Sequence, residues 1–314
     1  MSAAPLGGVD RRALLRGIAG GVAGLGLAGM ARYAHAADSL AATTVAQGLT
    51  VLTGAGGNIL VLATDAGKVL VDGGAAALRG QVRQELDSLP GGHVAALFDT
   101  HWHLDQVGSN EALGLAGATI YSHAKTRQRL STGYYLRDEE RYEPPLAASG
   151  WPTKAFHTEG TVRIGKARVD YGYLLEAHTD GDIYVFLPGV NVVAVGGVLS
   201  PQHDPVFDWF GGGWLGGRLD AHARLLVLGD KDTRFVPSLG PVVGRAQVQA
   251  ELDLMTKIFD RMVEHVRLGE TAADMQKAGV LDGLGRTFDD PAKLLYDLHK
   301  GFWAHHNTLT HDIV

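Results

Sequence analysis

The chain has 314 residues, 46% of them apolar, enough to build one large core or two ordinary ones. Its formal charge is −6 with acids and bases interspersed, so it lacks the clustered Lys and Arg of a nucleic-acid groove. It contains no cysteine, which excludes thiolate zinc sites, disulfide frameworks and cysteine nucleophiles and leaves His, Asp and Glu as the only strong metal ligands.

At the N-terminus, Asp10-Arg11-Arg12-Ala13-Leu14-Leu15-Arg16 precedes a Gly/Ala/Leu run over 17–31. Ala34-His35-Ala36 then offers small residues where a signal peptidase reads. The paired arginines resemble a twin-arginine export signal, expected over 1–36 and removed from a mature domain of 37–314. A membrane anchor is the alternative, but the run falls short of the ~18 apolar residues of a stable span and is rich in glycine. The expected destination is the periplasm, with no stable membrane anchor after cleavage. Twin-arginine substrates cross the membrane folded, often with a cofactor already bound.

From about residue 48 the pattern is short strands with turn punctuation. Segments 57–63 and 68–72 are apolar strands about the turn Thr64-Asp65-Ala66-Gly67. Residues 75–89 read as an amphipathic helix closed by Pro90-Gly91-Gly92, and 93–99 as a buried strand. A helix, a strand over 118–122 and a helix over 124–130 follow. Residues 131–151, charged and aromatic with a Pro pair, read as an inserted loop. A second set of strands starts at Thr153 and continues over 161–175, with a turn at 164–166, then over 183–187 and 191–195 about Pro188-Gly189. After a Gly/Trp-rich loop (201–217), a helix over 218–228 leads to a strand over 233–236, and from about Arg245 the chain is helical. Two runs of strands flanked by helices predict two facing sheets with helices outside, an αββα sandwich of mixed α/β class.

The motif with the most chemistry is Thr100-His101-Trp102-His103-Leu104-Asp105-Gln106, at the end of an apolar strand. Two histidines spaced by two at a strand end can turn toward one point. Ala177-His178-Thr179-Asp180-Gly181-Asp182 is a second strand-end segment, far along the chain.

With these motifs the chain resembles the metallo-β-lactamase superfamily across essentially its whole mature length. The resemblance takes in Gly57-Asn58, Val71-Asp72-Gly73-Gly74, the His-x-His-x-Asp loop, His178 with Thr-Asp-Gly-Asp, and the surroundings of the late turn in 233–243. It implies the four-layer sandwich and a zinc ion on His101, His103 and His178. The departures all fall on the family's second metal. Gln106 stands where the family has histidine, Gly197 where it has the bridging aspartate, and Leu239 where it has a late histidine. Only Asp105 survives of that ligand set, so one ion is expected, because an amide oxygen is a poor zinc donor and glycine and leucine offer none.

The resemblance then implies hydrolysis of an ester, lactone, thioester or amide bond in a small-molecule substrate at a mononuclear tri-histidine site, with Asp105 as general base. Without a second ion to steady the leaving group, turnover is expected to be slow or restricted to good leaving groups. The competing reading is a degenerate member that binds metal or a small ligand without turnover. Mononuclear iron oxygenase chemistry would need the carboxylate that Gly197 lacks. Other polar residues leave readings open. Asp72 is a strand-end cap or orients a histidine. His123 reads as a helix-start residue, and His203 and Asp204 as loop polarity rather than replacement ligands. Residues 207–214 form either a core plug or a pocket wall. His305, His306 and His311 read as a solvated tail. Neither substrate nor oligomeric state is legible.

Overall fold

The computed structural model describes residues 40–137 and 140–305; the export signal expected over 1–36, and His306 and His311, lie outside the described residues. No described helix is long and apolar enough to cross a membrane.

The first half folds into a seven-stranded sheet with spatial order β1-β2-β3-β4-β5-β6-β9. Its strands are β1 (Ala41–Ala46), β2 (Leu49–Thr53), β3 (Ile59–Thr64), β4 (Gly67–Val71), β5 (Val94–Phe98), β6 (Thr119–His123) and β9 (Lys154–Phe156). β1 to β4 form an antiparallel meander, whereas β4, β5, β6 and β9 run parallel. The β3–β4 turn is closed by Thr64, whose hydroxyl donates to the Gly67 carbonyl at 2.6 Å and accepts from Ala66 N at 3.1 Å. Gly67 adopts φ 124°, open to a residue without Cβ.

The second half forms a six-stranded sheet, β10 (Glu159–Ile164), β11 (Ala167–Tyr173), β12 (Ile183–Leu187), β13 (Val192–Gly196), β14 (Arg234–Pro237) and β15 (Val243–Gly244), in sequence order. The helices are α1 (Arg79–Ser88), α2 (Asn110–Leu115), α3 (Ala124–Thr132), α4 (Leu215–Leu226), α5 (Arg245–Arg267), α6 (Ala272–Lys277) and α7 (Pro291–Ala304).

The period-two pattern of the strands explains the layering. Val69 and Val71 of β4 and Val185 and Leu187 of β12 point inward into one shared core between the sheets. Leu70 points the other way, into a cluster with Val82 and Leu86 of α1. Val193 and Val195 of β13 point outward against Ala221 and Leu225 of α4 and Val248 of α5. The result is the four-layer αββα sandwich.

Three expectations need correction. The helix expected over 75–89 is a 3-10 turn, Ala76–Leu78, followed by α1. The insertion over 131–151 contains a hairpin of β7 (Tyr134–Leu136) and β8 (Arg141–Glu143), anchored by Tyr134, whose ring stands edge-on to Trp102 at 4.6 Å. The strand after Thr153 does not open the second sheet. It is β9, which joins the first as its last strand, because Tyr121 to His123 of β6 present an unpaired edge that Lys154 to Phe156 complete.

Candidate metal centre

The centre lies where the two sheets end together. β5 delivers Asp99 and Thr100, then His101 to His103, and the loop between β11 and β12 delivers His178. A backbone bond from Ile183 N to Thr100 O, 2.9 Å, ties the two segments to each other. The second loop is shaped by Asp182, whose carboxylate accepts from His178 N at 2.6 Å, Thr179 N at 2.8 Å and the Thr179 hydroxyl at 2.7 Å. Burial pushes the Asp182 carboxyl up to about 6, against these bonds. Asp180 turns away, forming a two-pronged pair with Arg129 and accepting from Trp102 Nε1 at 3.1 Å. The acids around His178 therefore build the loop.

His101, His103 and His178 converge as predicted. One nitrogen from each lies within 4.8 Å of the others, and among the described residues no other group of three or more His, Asp or Glu could hold an ion. Their ring centroids form an equilateral triangle, 4.8 Å on each side, with rings crossed at 78°, 84° and 86°.

Each imidazole is tied by one nitrogen. His103 Nε2 meets Asp208 Oδ2 at 3.1 Å, His178 Nδ1 meets the Val206 carbonyl at 2.9 Å, and His101 Nδ1 meets the Thr100 hydroxyl at 3.0 Å. The Thr100 proton goes to Asp72, which also accepts from Thr100 N at 2.8 Å. The hydroxyl therefore accepts from His101 Nδ1–H, and Asp72 acts on His101 through Thr100. Such outer bonds select the tautomer whose remaining nitrogen carries a lone pair. His101 Nε2, His103 Nδ1 and His178 Nε2 are left to face one point, and the last two lie 3.2 Å apart.

For His101 and His178 the charges match this division. Burial, with the neighbouring histidines, holds His101 well below the usual imidazole range. Burial, His103 and Arg218 push His178 down to about 3. Burial also opposes charge on His103, but the Asp208 carboxylate outweighs it and raises the group. Asp208 shifts downward in reply, its own burial overcome by His103.

Asp105 stands outside the triad's group of nitrogens. Its Oδ2 accepts from Gln106 Nε2 at 2.9 Å, its Oδ1 is buried without a partner, and burial raises its carboxyl despite the nearby His103. Gln106 is fully buried and packs where a Cβ on Gly57 would fall, 2.5 Å from its Nε2. Gly197 has no room for any side chain, since a Cβ there would lie 2.3 Å from His178 Cδ2.

His203 and Asp204 do not rebuild a second site. Asp204 accepts from Asp289 N and Asp290 N at 3.0 and 2.8 Å, ahead of α7. His123 caps α3, as expected, and stacks on Tyr173 at 3.8 Å. His305 is no solvated tail: it stacks on Trp214 at 4.9 Å and lies 3.4 Å from a Glu176 oxygen. The 207–214 loop is partly a plug, with Phe207 buried against the C-terminal helices, while Phe210 is half exposed. Its contribution to the triad through Asp208, with that of the Val206 carbonyl, was missed. A lone carboxylate in a Gly-rich loop was the one available signal.

Residues 52–240, more than half of the chain, match the family model of the metallo-beta-lactamase superfamily, and the chain belongs to that superfamily. Solved structures agree in fold. A metallo-beta-lactamase from Pontibacter korlensis superposes with a TM-score of 0.56 at 21% identity, over 69% of this chain and 99% of its own. The DIM-1 metallo-beta-lactamase gives 0.56 at 16% identity, over 70% of this chain and 98% of its own. A metallo-beta-lactamase from Erythrobacter litoralis gives 0.54 at 19%, over 69% and 96%. No curated protein matches the chain.

Proposed function

We propose that the protein is an exported, periplasmic hydrolase that uses one zinc ion on His101, His103 and His178 to cleave an ester, lactone, thioester or amide bond in a small molecule. The observation that carries the reading is the arrangement of three imidazoles with their outer nitrogens tied and their inner nitrogens convergent. The donor set suits zinc, which takes neutral imidazole nitrogens and keeps a fourth position open in catalytic sites. When bound, the ion would acidify a water toward neutral pH and polarise the bond under attack. Asp105 is the proposed base: its buried, unpartnered Oδ1 is free to take a proton from water, and its raised affinity for protons suits that transfer.

The absence of space at Gly197 and the structural use of Gln106 support a single ion. They also favour a second reading, a member that holds metal or a small ligand without turnover. Elemental analysis of the purified mature protein, followed by assay on a panel of ester, lactone, thioester and β-lactam substrates, separates the two. The hydrolase reading expects about one zinc per chain and activity that disappears with chelation and in Asp105→Asn. Activity indifferent to chelation would defeat it; zinc without activity on any substrate would favour the second reading.

A further inference from the structure

The loop that follows β13 is held along its backbone by the helical layer. Arg218 of α4 donates from Nη2 to the Gly197 carbonyl, and His222, one turn later, donates from Nε2 to the Val198 carbonyl at 3.1 Å. Glu251 of α5 accepts from Ser200 N at 3.0 Å. Arg286 donates to the Ser200 carbonyl at 2.9 Å and to that of His203. The amides of Asp289 and Asp290 then hold Asp204. Two residues beyond Asp204 comes the Val206 carbonyl on His178, and four beyond it the Asp208 carboxylate on His103.

Stability alone does not account for this network. Arg218 and Glu251 are 1% and 2% exposed. Desolvating two such charges, which attract each other without forming a direct ion pair, is expensive, and apolar replacements for buried opposite charges are often as stable or more so. Nor do its hydrogen bonds satisfy it: Arg218 Nε and Nη1 and His222 Nδ1 are buried without hydrogen-bond partners, and the Arg218 guanidinium instead lies over the ring of Phe207, a residue of the same loop, at 4.4 Å. In both side chains the nitrogen that is bonded is the one directed at the loop backbone. Without such grips, an irregular connection of this length opens readily.

We infer that the helical layer is a clamp on the metal centre, with Arg218, His222, Glu251 and Arg286 as positioning residues that act through the loop on His178 and His103. Glu251, Arg286 and the Asp289–Asp290 amides lie C-terminal to the segment matched by the family model, so the C-terminal helices gain a role in metal retention. The inference rests on the metal-binding reading above.

The test uses the full mature protein and measures two things for each variant: zinc affinity by competition with a chromophoric chelator, and urea unfolding of the metal-free form. Arg286→Ala and Glu251→Ala are expected to weaken zinc binding about 10- to 100-fold, as loss of outer-shell support does. Glu251→Gln, which keeps an acceptor for Ser200 N, should recover most of the affinity. The double change Arg218→Met with Glu251→Leu should unfold at the same or higher urea yet still bind zinc weakly. If the double variant does not fold, the single changes decide. Zinc affinity within twofold of wild type in the folded variants, or losses that merely follow losses in metal-free stability, would overturn the clamp alone. A wild-type protein that takes up no zinc would defeat both the clamp and the metal-binding reading.

Discussion

Asp208 and His103 meet at 3.1 Å across 105 positions of sequence, and this contact sets which nitrogen of the ring faces the triad. With Nε2–H donated to the carboxylate, Nδ1 keeps its lone pair for an ion, and the carboxylate raises the basicity of the ring. Asp208→Asn is therefore expected to weaken zinc binding about 10- to 100-fold while leaving the circular dichroism spectrum unchanged. Chelator competition at pH 7 reads the difference. Unchanged affinity would reduce the contact to loop packing.

The Asp72–Thr100–His101 chain makes a separate demand. Thr100 is buried, and its hydroxyl accepts a hydrogen bond from His101 Nδ1–H and donates one to Asp72. Thr100→Val keeps the shape but strands a buried N–H and removes a donor from a buried carboxylate, at a cost of about 1–3 kcal/mol. Urea unfolding should show that loss, together with weaker zinc binding. Thr100→Ser, which keeps the hydroxyl, should restore both. A valine variant as stable as wild type would show that the relay carries little energy.

The sandwich was legible because its strands alternate: Val69, Leu70 and Val71 separate onto two faces without reference to anything distant. The triad was legible for a related reason, since both histidine segments sit at strand ends that a two-sheet fold brings together. What could not be read depended on irregular backbone. No periodicity marks the reach of Asp208 to His103, or the choice of β9 between two sheets. Asp72 could be narrowed to a cap or an orienting group, and the structure shows it doing the second through Thr100. His305 looked like tail because nothing local announces its stacking on Trp214.

Gly197 tests the proposal that the centre takes a single ion. A Cβ at this position would lie 2.3 Å from His178 Cδ2 and 2.6 Å from its Nε2. Gly197→Ala should destabilise the fold by roughly 1–3 kcal/mol through overpacking and loosen zinc by displacing the ring. Gly197→Asp, which supplies the carboxylate that the family resemblance leads one to expect there, should not raise the zinc content above one per chain. Two zinc ions per chain in that variant, by elemental analysis, would show that His178 can yield and that the second cradle is recoverable.

His123 provides a pH signature independent of the metal. Its ring is buried, stacked on Tyr173 at 3.8 Å, and its Nδ1 accepts from Lys125 N at the start of α3. Burial pushes it down to about 4, with His157 contributing opposed effects through a backbone bond and its charge. In the unfolded chain an imidazole takes up its proton near pH 6.5. As pH falls below that value the unfolded state gains a proton that the folded state refuses, so stability is intact above about 6.5 and is lost progressively down to about 4. The loss attributable to this residue is on the order of 1–3 kcal/mol between those limits. His123→Asn keeps a side chain able to cap α3 but cannot titrate. Unfolding of the metal-free protein at pH 7 and pH 5 should show a smaller drop in the variant than in wild type. Equal drops would mean that His123 is protonated in the folded state at pH 5, and that its stack on Tyr173 accommodates the charge.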